Sequence, residues 1–178
     1  MGARHLPQAS DLYKFQAGTM LGSRQVLNKT MRIYLDLCCF NRPYDDQSQV
    51  RVRLETEAKL SLQDKVRSGM CELVWSAVLD LKNSKNPFLE HMQAISQWRA
   101  LAANHVMAGP EVMAIAEPLM TGGVNAFDAL HVASAVVGKA DLFITTDDRL
   151  LKRVRHLKDV KVYFPAEALA FLEDWYEH

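Results

Sequence analysis

The run Ile144-Thr145-Thr146-Asp147-Asp148-Arg149-Leu150-Leu151 drives an apolar strand straight into two adjacent carboxylates at the start of a helix. Adjacent acids repel, so either water solvates them or a cation sits nearby. Asp36 poses the question more sharply. It interrupts the apolar run YLDLCCF, where an unpaired carboxylate costs several kcal/mol or changes its pKa. Asp80 follows the apolar run CELVWS, and Asp128 opens a helix behind Asn125, its candidate N-cap. As the third helical residue Asp128 would be favoured in its ionised form by nearby N–H groups and the helix dipole, an environment that suits a metal ligand. Each acid also has a plainer reading. Thr146 or Asp147 caps a helix, Asp128 is the back half of a capping box, and Asp148 is a solvated second residue of its helix. His131 reads as a core histidine, because magnesium prefers oxygen ligands. Met113, Met120, Trp75 and Trp98 read as ordinary core.

Positioning such acids together is the work of the surrounding elements. From Met31 onward, short apolar runs alternate with longer amphipathic ones, the mark of a mostly parallel sheet with crossover helices. Strands are expected at 32–37, 71–76, 105–108, 142–145 and 160–164. Helices are expected at 49–67, 77–82, 88–103, 110–120, 125–137, 149–156 and 166–175. Ligands of open parallel sheets bind beyond the carboxyl ends of the strands. Asp36, Asp80, Asp128 and Asp147 all fall toward that edge. Within 49–67, Val50, Leu54, Ala58, Leu62 and Val66 form a stripe that reads as core, or as a surface for a partner helix or a second copy.

Composition narrows the class. With 178 residues and 49% hydrophobic content, the chain suits one domain, placed at 31–178, after an extension at 1–30 that lacks sustained periodicity. Twenty-one basic and twenty-one acidic residues cancel, so a nucleic acid would have to be drawn by a local patch. Arg149, Lys152, Arg153, Arg155, Lys158 and Lys161 supply one beside Asp147. Arg149 is the best phosphate candidate, followed by Arg42. Three cysteines, Cys38, Cys39 and Cys71, lie in or beside apolar runs and read as buried thiols of a reducing compartment. No run approaches the roughly 20 apolar residues of a membrane span, and no signal-peptide core is visible, so a cytoplasmic protein is expected.

The segments YLDLCCFNRPYDDQS, WSAVLDLKNSKNP, AFDALHVASAV and FITTDDRLLKR resemble the PIN domain, over about residues 31 to 165. The NRPYDDQS turn resembles one bacterial branch related to VapC ribonucleases. The resemblance implies a three-layer α/β/α sandwich and acids that hold Mg2+ or Mn2+. It also implies hydrolysis of single-stranded RNA, often as the toxin of a type II toxin–antitoxin pair. Its partners would then be RNA, an antitoxin protein and a second copy of the chain. Carried over residue by residue, the ligands are Asp36, Asp128 and Asp147, with Thr145 beside the metal or its water. The pattern departs at one place: a glutamate is expected two positions after Asp80, where Lys82 stands. Charged lysine cannot ligate magnesium. Asp80 is the candidate stand-in, although residues two apart on a helix point about 200° from each other, and Glu55 and Glu57 are weaker ones.

If that site is intact, metal-activated water attacks phosphorus in line, without a covalent protein intermediate. If Lys82 disables it, the chain is a PIN-like module that binds RNA or protein without cutting. A haloacid-dehalogenase-like phosphohydrolase would want an aspartate two residues after the first, where Cys38 stands. No GxxxxGK[ST] loop is present.

Overall fold

The computed structural model describes residues 29–175, so most of the expected extension at 1–30 lies outside the described residues. In chain order the elements are β1 Met31–Leu35, α1 Leu37–Asn41, a 3-10 turn Arg42–Tyr44, α2 Val50–Arg67, β2 Cys71–Ser76, α3 Ala77–Asn83 and α4 Leu89–Ser96. A 3-10 turn Gln97–Leu101 leads into β3 Asn104–Val106, α5 Pro110–Thr121, α6 Ala126–Val137, β4 Leu142–Ile144, α7 Asp148–Val154, β5 Lys161–Tyr163 and α8 Pro165–Leu172.

The sheet is parallel throughout, in the order β3-β2-β1-β4-β5. The chain steps outward from β1 to β2 and β3, then returns across to the other side of β1 for β4 and β5. That reversal makes the carboxyl ends of β1 and β4 the crevice of the sheet. Right-handed crossovers running in opposite directions place their helices on opposite faces, giving three layers. Ile33, Tyr34 and Leu35 are fully buried in succession, so both faces of β1 are covered. Tyr34 faces α6, where it meets His131. α5 packs on α6, and α2 packs on α8.

The first strand ends earlier than expected. Asp36 has the extended backbone of an N-cap, φ −63° and ψ 153°, and Leu37 begins α1 rather than prolonging β1. Leu37, Cys39 and Phe40 bury one side of this short helix. The helix expected at 88–103 gives way to the 3-10 turn after Ser96. The stripe on α2 is split: Ala58, Leu62 and Val66 are core, whereas Val50 and Leu54 are exposed. Among the described residues, no helix is long and apolar enough to cross a membrane.

Two glycines serve definite needs. Gly69, at φ +76°, lets the chain turn after α2 into β2. At the end of α6, a Cβ on Gly138 would lie 2.5 Å from Val74 Cγ1 and 2.9 Å from Val106 Cγ2. Only a bare backbone fits this approach to the sheet. Gly138→Ala is therefore expected to lower stability by about 1–3 kcal/mol through overpacking, read as a shift in the urea midpoint; an unchanged midpoint would show that Val74 and Val106 yield freely.

Candidate functional site

Strand register builds the first half of the site. Leu35 pairs with Ile144, so the next residues, Asp36 and Thr145, leave the sheet side by side. Asp36 is only 2% exposed, and its Oδ2 accepts hydrogen bonds from Thr145 Oγ1 at 2.9 Å and Cys38 Sγ at 3.2 Å. Thr145 Oγ1 in turn accepts the Asp147 N–H at 3.1 Å. One buried hydroxyl thus ties the first acid to the last. Thr145 is fully buried, so it is placed to position these groups and offers no exposed surface for a substrate contact.

Lys82 and Asp128 complete the cluster from α3 and α6. Ser76 caps α3 by accepting the Leu79 N–H at 3.2 Å, and Lys82 lies near the helix end. Its Nζ sits 3.9 Å from Asp36 Oδ1 and 3.7 Å from Asp128 Oδ1. The ammonium therefore stands between the two carboxylates. Asp80, on the other side of α3, accepts from Trp75 Nε1 at 2.8 Å and pairs with Arg99 Nε at 3.4 Å. It does not join the cluster, and its proposed catalytic place is corrected accordingly.

The remaining polar groups form a buried chain. Tyr34 Oη lies 2.7 Å from Ser76 Oγ and 2.7 Å from His131 Nδ1, and His131 Nε2 lies 3.8 Å from Asp36 Oδ1. Because Ser76 Oγ accepts from Leu79, it can donate to Tyr34, which can donate to His131 Nδ1. The imidazole then carries its proton on Nε2, facing Asp36. Burial pushes the His131 pKa down to about 4, so the ring is neutral at pH 7. Burial also pushes Asp36 upward, but the surrounding donors and cations outweigh it and hold this carboxyl below its ordinary value. The largest of these lowering influences is the His131 ring, which acts so only as a cation; Lys82, Cys38 and Thr145 follow it. Asp36 Oδ1 and His131 Nε2 are buried without a hydrogen-bond partner.

Asp128 behaves differently from the sequence expectation. Asn125 caps α6 by accepting the Asp128 N–H at 3.0 Å, and the two side chains also bond to each other. Partial burial, together with the charges of Asp36 and Asp147, nonetheless raises the Asp128 pKa despite Lys82 and Asn125. Burial and the neighbouring acids together outweigh the stabilisation at the helix start. Asp147 Oδ1 accepts the N–H groups of Arg149 and Leu150 at 2.8 and 3.0 Å, so it caps α7. Asp128, Asp147, Arg149 and Arg153 border one cleft of about 270 Å³.

The other expected contacts are scaffold. Arg42 pairs with Asp45 at 3.0 Å and lies 2.7 Å from Glu55 without hydrogen-bond alignment on that second contact. It is therefore spoken for inside the fold and is corrected as a phosphate contact. Asp148 is bridged by Arg51 at 2.8 and 3.0 Å, and Glu55 also accepts from Arg51, while Glu57 is exposed on α2. Cys38, whose thiol holds Asp36, was missed as a site residue; its signal was its place two residues after the buried acid.

A carboxylate set is the right chemistry for Mg2+ or Mn2+. Among the described residues, however, no three His, Cys, Asp or Glu side chains converge to hold one ion. With Lys82 between Asp36 and Asp128, the residues in this arrangement do not fit the expected three-aspartate centre.

No protein-family model matches the chain, and no curated protein matches it. Among solved structures, the chain is similar to FitAcB from Neisseria gonorrhoeae, with 16% identity over 75% of this chain and 98% of that one, at a TM-score of 0.51. VapBC2 from Rickettsia felis, bound to a DNA fragment from their promoter, matches at 12% identity over 75% and 98%, with a TM-score of 0.48. The likeness to FitAcB supports the expected fold: an α/β sandwich with a parallel central sheet.

Two measurements check the site. His131 binds its proton less readily folded than unfolded, so the unfolded chain takes up the extra proton as pH falls from about 6.5 toward 4. Stability from this group is full above that window and is lost through it; imidazole NMR should show a midpoint near 4 in the folded chain, and one near 6.5 would contradict the burial argument. Thr145→Val, which leaves the Asp147 N–H and Asp36 without their shared hydroxyl, is expected to cost about 1–3 kcal/mol in chemical denaturation. Thr145→Ser should keep most of that stability.

Proposed function

We propose that this protein binds single-stranded RNA along the carboxyl edge of its sheet, with Lys82 as the resident cation of a PIN-like cleft. In this reading it holds a phosphodiester without cutting it at the rate of an all-carboxylate site. The observation that carries the proposal is the Lys82 ammonium, 3.9 Å from Asp36 and 3.7 Å from Asp128. An ammonium offsets carboxylate repulsion and attracts phosphate. It offers no lone pair to a metal and cannot generate hydroxide as a Lewis acid does. Arg149 and Arg153 border the neighbouring cleft and supply the local positive charge that an overall neutral chain requires.

A second reading, a metal-dependent endoribonuclease of the toxin class, is favoured by the partnerless, buried Asp36 Oδ1 and by the raised Asp128 pKa. It requires Lys82 to turn toward solvent. Asp36 and Asp128, with Asp147, would then be the groups left to take Mg2+ or Mn2+. An antitoxin protein or a second copy belongs to this reading as partner, and the exposed Val50 and Leu54 on α2, beside Phe164, offer an apolar groove for one.

One assay separates them. Purified protein is incubated with mixed single-stranded RNA and Mg2+ or Mn2+, and both retardation and cleavage are followed. Retardation without cleavage is expected from the natural chain, with a cleavage gain on the order of 100-fold in Lys82→Glu. Metal-dependent cleavage by the natural chain, abolished in both Asp36→Asn and Asp128→Asn, would instead establish the nuclease. Failure to retard RNA would overturn the RNA-binding proposal.

A further inference from the structure

Lys82 borders a second hollow, of about 360 Å³, that shares no lining residue with the Asp128–Asp147 cleft. Its walls include Tyr44, Phe88 and His91, together with Lys82, Lys85 and Asn86. Local sequence explains the placement. Pro43 lies in the 3-10 turn that delivers Tyr44. Asn86 Oδ1 accepts the Phe88 N–H at 3.1 Å, and Asn86 Nδ2 donates to Asn41 Oδ1 at 3.2 Å, fixing the loop that enters α4.

The aromatic rings are not core. Tyr44 is 45% exposed and Phe88 is 60% exposed, although a folding chain gains by burying such surface. Tyr44 stacks on His91 with centroids 3.7 Å apart and planes 9° apart, and Phe88 lies 4.9 Å from the same imidazole. The result is a pre-ordered aromatic platform open to solvent. Its cations stand on the side toward the acid cluster: Lys82 reaches Asp128, and Lys85 Nζ lies 4.7 Å from the ring centre of Phe127, the residue before Asp128. Asp45 also borders the hollow, but its charge is paired with Arg42.

We infer that this hollow is a nucleobase subsite, in which one base of a single strand stacks on the exposed face of Tyr44 and Phe88 offers its own exposed ring to a neighbouring base, while the linking phosphate lies against Lys82 and Lys85. Stacking on aromatic faces with cations along the backbone is how single strands are held without sequence readout, because every base has a π-face. The Lys82–Asp128 contact joins this hollow to the cleft lined by Arg149 and Arg153, so one strand can engage both. The inference rests on the RNA-binding proposal and adds to it where the base goes.

The test measures affinities at fixed salt for a labelled RNA octamer, its DNA counterpart and an abasic octamer of the same charge, using the natural full chain, Tyr44→Ala, Phe88→Ala and Tyr44→Phe. Tyr44→Ala and Phe88→Ala should each weaken the RNA octamer by about 5- to 150-fold, the range for losing one stacked base. Neither should change abasic binding, and Tyr44→Phe should restore stacking. Equal loss on DNA would mean that the subsite reads the base and not the sugar, which also supports it. If the natural chain binds RNA and both alanine variants bind it equally well, the subsite is wrong while the RNA-binding proposal stands. If the natural chain binds no octamer, both fall. If the alanine variants alter self-association and leave octamer binding unchanged, the platform is an interface between copies and the nucleobase assignment fails.

Discussion

A carboxylate taken almost wholly out of water governs this edge of the molecule. Asp36 emerges from the central strand of a parallel sheet at 2% exposure, and a charge so placed must find compensation in its immediate surroundings. The fold supplies it from widely separated parts of the chain: a hydroxyl after β4, a thiol from α1 and an ammonium from α3. Removing one partner of such a group leaves a stranded charge, which costs more than the contact was worth.

The same neighbourhood explains why the cleft is mixed in sign. One ammonium is shared by two carboxylates, a third acid is engaged in capping α7, and two arginines line the rim. A strongly negative pocket would repel a phosphodiester unless cations entered with it. Here part of that positive charge is built into the polypeptide. The neutral His131 fits the same pattern, because its hydrogen-bonded chain through Tyr34 and Ser76 orients an N–H toward Asp36 without adding a second buried cation.

Much of this is legible in the sequence. Alternating apolar and amphipathic segments announced the parallel sheet, and the acid within YLDLCCF announced a carboxylate needing a partner. The replacement of an expected glutamate by Lys82 marked the position that matters most. What periodicity could not show was orientation. Asp80 and Lys82 are two residues apart on one short helix, and their opposite directions followed from helix geometry, yet only packing against Trp75 and Arg99 decided which of them met Asp36. Arg42 was read as a phosphate contact, whereas nearby Asp45 pairs with it and Glu55 approaches it from α2. The helix beginning at Leu37 was hidden by an apolar run too short to distinguish strand from helix. Asp128 was misjudged because a helix start favours its charge locally, whereas burial first, and then two acids remote in sequence, disfavour it.

Titrating Mn2+ into the natural chain and into Lys82→Glu, with electron paramagnetic resonance of the free ion as the readout, tests most directly whether the lysine holds the cation position. With Lys82 resident, the natural chain should leave millimolar Mn2+ free while Lys82→Glu takes it up. Uptake by the natural chain as tight as that of Lys82→Glu, and lost in Asp36→Asn, would contradict a lysine-filled site.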